Sequence, residues 1–146
     1  MKKQAWMILS ALALVGMIAV VGASTLMGGC TSTIETAAGG TVPMKCHWTF
    51  IATKFIGIIG IVSCILALAN STKEGRRTAA VVTAVTALVI ILVTSPVGIG
   101  LCANADMHCH QTALVVWIAS GVSLVAAAVQ AIKADPAAAE RPKMKL

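Results

Sequence analysis

Five of the 146 residues are cysteines. Four of them fall in polar phrases that interrupt a greasy chain. Cys30 closes Gly28-Gly29-Cys30, and Cys46 lies in Met44-Lys45-Cys46-His47-Trp48-Thr49. Cys102 closes Gly100-Leu101-Cys102, and Cys109 lies in Met107-His108-Cys109-His110-Gln111-Thr112. The order G-x-C, then M-x-C-H-x-T, is therefore written twice. Thiolate and thioether are soft donors that favour Cu(I), and imidazole suits copper or zinc. Met44, Cys46, His47, Met107, His108, Cys109 and His110 form a candidate metal set on that ground.

The same residues carry other chemistry. Oxidised, Cys30, Cys46, Cys102 and Cys109 make two disulfides, within each loop or across the loops. Four cysteines allow three connectivities, and spacing does not choose among them. Disulfide staples suit loops with little core of their own, and they would leave a metal with Met and His. Thiol–disulfide exchange is a further reading, though such enzymes favour a CxxC pair and the chain has none. C-x-x-C-H, the haem attachment motif, is also missing. His108 and His110 are two apart, so they share one site only in an extended or loop conformation.

The elements that must hold these phrases are long and apolar. The chain is 58% hydrophobic and 11% charged, with mean hydropathy +0.93. Soluble domains carry about 25% charged residues. Four runs stand out: 5–27, 49–70, 78–99 and 112–132. Each is long enough to cross ~30 Å of hydrocarbon at ~1.5 Å per residue as a helix. The runs are rich in Ala, Val, Ile, Leu and Gly without strict alternation, so helices fit and a barrel does not. Thr49 and Thr112 stand where N-caps are expected, and Pro96 is expected to bend the third helix. Gly57 with Gly60, Gly16 with Ala19, and Ser120 with Gly121 and Ser123 are expected to let helices approach closely. Cys64 reads as a small buried residue.

The net charge of +6 is placed as an orientation signal, not as a nucleic-acid face. Lys2, Lys3, Lys73, Arg76, Arg77, Lys133, Arg141, Lys143 and Lys145 are nine of the eleven basic residues, and all belong to one side. That side is expected to be cytoplasmic, with both termini. The loops 28–48 and 100–111 then face outward, where disulfides form readily. Lys54 is the one ionisable side chain within an expected span, and a short snorkel to the headgroups accounts for it. Trp6 and Trp48 suit interfacial belts. A competing reading takes LMGGC as a lipoprotein signal cut before Cys30, but the apolar run is longer than a usual signal core.

The expected fold is an all-α membrane protein of four transmembrane helices. They form two tandem hairpins related by a pseudo-twofold axis along the membrane normal. The first hairpin is 1–72, the second 73–133, and 134–146 is a cytoplasmic tail. Four short spans, the outward CHWT phrase and the later Cys102–His110 stretch resemble a family of small bacterial membrane proteins catalogued as a domain of unknown function, number 4418. The resemblance implies a four-helix protein of the bacterial inner (plasma) membrane and no established activity.

The chain shows no nucleophile–base pair, phosphate loop or paired carboxylates, so no enzyme is expected. The leading expectation is an accessory or interaction protein with a disulfide-stapled outer cap and no cofactor, by analogy a subunit beside a transporter complex. Its partners are the lipid bilayer and either another membrane protein or further copies of itself, with no nucleic acid. Copper or zinc binding at the doubled phrase is the alternative, and extracytoplasmic thiol–disulfide exchange the next.

Overall fold

The computed structural model describes residues 3–29, 32–102 and 108–133. Four helices carry the fold: α1 (Lys3–Leu26), α2 (Lys45–Ala69), α3 (Lys73–Thr94) and α4 (His108–Lys133). Each is long and apolar enough to cross a bilayer. They form a ring in which α1 and α3 each pack against both α2 and α4. Between α1 and α2 the chain makes a small exposed hairpin, β1 (Thr33–Glu35) and β2 (Thr41–Pro43), with Thr33 opposite Pro43. Its turn is closed by Thr36 and Gly40 and needs the positive φ of Gly39. The hairpin lies within 28–48, where a plain loop is expected from the sequence.

The bundle is apolar on the outside. Large aliphatic and aromatic residues face outward, among them Ile8 (67% exposed), Phe55 (64%) and Ile118 (62%). The inside is made of small and hydroxyl residues, including Ala13, Ala87, Thr53, Thr83, Ser120 and Ser123, around Met17, Val20, Ile90 and Val116. Water would not tolerate that much apolar surface, whereas lipid does, and this is a membrane protein. Helices in lipid associate through close packing and interhelical hydrogen bonds. Both occur here. A Cβ on Gly60 would lie 2.7 Å from Met17 Sδ, and one on Gly57 equally close to Val21. Ser63 and Thr83 share a hydrogen bond at 2.8 Å, and Ser123 Oγ lies 3.2 Å from the Ala13 carbonyl.

Gly16 packs directly on Ser123. Gly121 and Ala19 depart from the expectation: a Cβ on Gly121 would meet nothing, and Ala19 is exposed. Trp6 is buried rather than belted. Its carbonyl accepts from Gln130 Nε2, which also donates to Ser10 Oγ. Trp48 is half exposed. Cys64 is buried, with Sγ 3.6 Å from Thr83 Oγ1.

Three helix ends differ from the sequence reading. α3 stops at Thr94 rather than bending at Pro96, because the residue before a proline is driven to extended backbone. Ser95 adopts it, at φ −82° and ψ 164°. α2 begins at Lys45, so Thr49 lies in its second turn rather than at its cap. Thr112 likewise lies a turn inside α4. At the opposite end, the KEGRR segment is helical, and Thr72 caps it by accepting from the Gly75 amide at 3.3 Å.

Candidate metal centre

The α1–α2 and α3–α4 connections meet at one end of the bundle. Gly28 and Gly100 both have positive φ, 61° and 76°, which glycine adopts without steric cost. These two residues turn the chain out of α1 and out of the segment after α3. The Gly100 amide donates back to the Val93 carbonyl at 3.2 Å, which fixes the turn against the end of α3. Leu101 and Cys102 then pack against the core.

The threonines displaced from the caps hold these turns. Thr49 Oγ1 donates to the Gly100 carbonyl at 2.7 Å, with the Lys45 carbonyl 3.1 Å away. Thr112 Oγ1 faces the Gly28 carbonyl at 3.3 Å and the His108 carbonyl at 3.1 Å. Each M-x-C-H-x-T phrase thus reaches the G-x-C glycine of the other half. The doubled phrase makes a reciprocal clasp, and that is one physical reason for its two copies.

The clasp brings cysteines together. The Sγ atoms of Cys46, Cys102 and Cys109 all lie within 4.8 Å of one another. Cys46 and Cys109 are fully buried, and Cys102 is half-buried at the rim. Cys102 Sγ is 3.0 Å from Cys46 Sγ and 3.9 Å from Met44 Sδ. His110 Nε2 donates to the Cys102 carbonyl at 2.9 Å. That bond fixes the proton on Nε2, because a carbonyl can only accept, and it leaves Nδ1 as the acceptor of a neutral ring.

The Cys102 thiol is pushed up to about 12. Burial away from water is the first cause, followed by the hydrogen bond and charge of Cys46 and then by Cys109. Crowded thiols resist ionisation because each thiolate would raise the cost of the next.

The expected pair of disulfides gives way to this cluster. Among the described residues no Sγ–Sγ pair is at bonding distance, which is about 2.05 Å; Cys46 and Cys102 stand 3.0 Å apart. Those two residues come from different loops, because the clasp is between halves. Cys30 and Met107, both named in the sequence reading, lie outside the described residues.

The histidines separate. His47 is exposed and meets Trp48 edge to face, with ring centroids 5.7 Å apart. His108 and His110 sit in the first turn of α4, where a two-residue step points side chains apart. His108 is exposed and His110 is partly buried beside Cys102. Lys54 is half-buried on α2. Cys102 was absent from the metal set read from sequence, where it counted as a disulfide candidate. The signal was available: it holds in the second half the G-x-C place that Cys30 holds in the first.

Three sulfurs at these separations suit a trigonal soft-metal site. A metal–sulfur bond of about 2.3 Å, the zinc–thiolate value, puts three sulfurs around one ion about 4 Å apart. The acidic residues among those described are Glu35, exposed on β1, and Glu74, at the start of α3. Among the described residues the cluster offers sulfur without carboxylate, and sulfur donors favour soft ions over Mg²⁺ or Ca²⁺.

No curated protein and no solved structure matches the chain. Residues 12–133 match the family described as Domain of unknown function (DUF4418). That stretch takes in all of α2, α3 and α4 and most of α1, so the chain belongs to this family.

Proposed function

We propose that this protein holds a soft metal ion, Cu(I) by ligand chemistry, at the mouth of its membrane bundle. The observation that carries the reading is the convergence of Cys46, Cys102 and Cys109 within 4.8 Å. Met44 adds a thioether 3.9 Å from Cys102. His110 supports the site from outside by bonding the Cys102 backbone, as outer-shell groups do in metal centres. Cu(I) is preferred to zinc because the donors are sulfur and the two exposed histidines point elsewhere.

On the orientation expected from the basic residues, the centre faces the extracytoplasmic compartment and both termini face the cytoplasm. The bundle axis is filled by Met17, Val20, Ile90 and Val116. The protein on this reading captures an ion at its outer rim and passes it to a partner or keeps it. It is not a conduit.

The accessory-subunit reading, with a transporter complex as its setting, needs a protein partner on the apolar outer faces. Lipid satisfies those faces equally well, and no particular contact favours a partner over it.

The test is a Cu(I) titration of the reduced protein in detergent or nanodiscs against a chromophoric chelator. About one equivalent retained, and lost in Cys109→Ser, supports the site. Copper taken wholly by the chelator, with co-purification of a stoichiometric membrane partner, would favour the accessory reading.

A further inference from the structure

Cys46 and Cys102 form a close pair within the cluster. Their sulfurs are 3.0 Å apart and belong to different halves of the chain. One is fully buried on the first turn of α2, and the other sits half-exposed at the rim. An accessible thiol beside a buried thiol is the arrangement of an attacking and a resolving cysteine. Closing the pair to a covalent bond of about 2.05 Å requires a shift of about 1 Å. Neither backbone is free to drift further, because Thr49, one turn after Cys46, already grips Gly100, two residues before Cys102.

We propose that the centre is redox-gated: a disulfide oxidant joins Cys46 to Cys102, which removes two of the three thiolates, expels the ion and covalently ties the two halves together. The proposal rests on the soft-metal reading and adds its regulation. The oxidant is an accessible disulfide R–S–S–R, of the dithiol-oxidase or oxidised-glutathione class, encountered outside the cytoplasm.

The chemistry balances. Cys102, as thiolate, attacks one sulfur of R–S–S–R, forms a mixed disulfide and releases RS⁻. Cys46 loses its proton, attacks the Cys102 sulfur and releases the second RS⁻. The Cys46–Cys102 bond is formed and the R–S–S–R bond is broken. Two electrons pass to the oxidant, and the two thiol protons leave as two R–SH. Bound metal, by occupying both sulfurs, blocks the first attack, so the loaded and oxidised states exclude one another. Of the three thiolates only Cys109 remains after oxidation, and one thiolate holds the ion far more weakly than three.

The experiment uses the full chain in nanodiscs. One portion of the reduced protein is titrated with Ag(I), a redox-inert stand-in for Cu(I); a second, metal-free portion is oxidised with glutathione disulfide, then titrated with Ag(I), or alkylated and digested. The expected result is a Cys46–Cys102 linked peptide, a mass lower by two hydrogens, and Ag(I) affinity reduced at least tenfold and restored by reduction. Cys109→Ser should still form the link, whereas Cys102→Ser should not. Prior loading with Ag(I) should suppress the link. Linkage through other cysteines, or an oxidised protein that keeps its ion, overturns the switch and leaves the metal reading intact. A reduced wild-type protein that takes up no Ag(I) overturns the metal reading, and the gating with it.

Discussion

The two M-x-C-H-x-T phrases are alike in sequence and only partly alike in use. Their cysteines do the same thing: Cys46 and Cys109 are both fully buried and both enter the cluster. Their threonines also correspond, each turned toward the glycine carbonyl of the opposite half. Their histidines do not. His110 grips the Cys102 backbone, whereas His47 leans on Trp48 in the open. The G-x-C ends differ as well. After Gly100 the chain folds straight in with Leu101 and Cys102, while the first loop inserts an exposed hairpin before α2 begins. The chain carries the pattern M-x-C-H-x-T twice. The positions still used twice are the ones that build the clasp and donate sulfur.

That comparison can be broken at several points. The largest effect is expected at the cysteines. Single replacement of Cys46, Cys102 or Cys109 by serine should weaken Ag(I) binding by more than about a hundredfold, beyond the 10–100-fold of outer-shell changes. Cys64→Ser should leave binding unchanged, since Cys64 faces Thr83 within the bundle. Equal losses at all four, read by competition titration, would show that the variants disturb the fold rather than the site.

Next come the threonines. Thr49→Val should cost about 1–2 kcal/mol, the penalty for leaving a buried acceptor unpaired, measured as the unfolding midpoint in detergent. Thr112→Val should cost less, because its reach to Gly28 is longer than its own-helix bond. A reversed order would mean that the clasp is not asymmetric as described.

The histidines follow. His110→Ala should lower soft-metal affinity by about tenfold, an outer-shell effect, and His47→Ala should leave it unchanged in the same titration. The last effect is with pH. The Cys102 thiol is raised in the folded protein, so the folded state holds a proton that the unfolded chain gives up above pH ~9. Stability of the metal-free protein should therefore be flat below pH 9 and fall as pH rises toward 12. Metal affinity should run the other way and rise with pH, because binding releases thiol protons. Unfolding curves at stepped pH, for the wild type and Cys102→Ser, read the first effect, and the variant should show less of the fall.

Much of the architecture was legible in the sequence because hydrocarbon imposes a simple rule. Every backbone amide must be paired internally, so long apolar runs without alternation become helices. The number of helices and their rough bounds followed. The finer errors share a cause: contacts between halves that one-dimensional reading does not see. Thr49 looks like a cap because it opens an apolar run, yet α2 starts earlier, and Thr49 is needed to hold Gly100. Gly121 sits in a small-residue cluster but faces outward, since a helix face is set by its neighbours and not by composition. The repeat pointed to the four loop cysteines, and spacing left their pairing open within or across the loops. The halves close on each other, and that sets Cys102 beside Cys46 and Cys109.

The most direct test of the central claim is Cu K-edge X-ray absorption on the reduced protein loaded with one equivalent of Cu(I). The account predicts a three-coordinate, sulfur-only shell that is lost in Cys109→Ser. A shell dominated by nitrogen or oxygen, or copper that washes away from the reduced wild type, would contradict it.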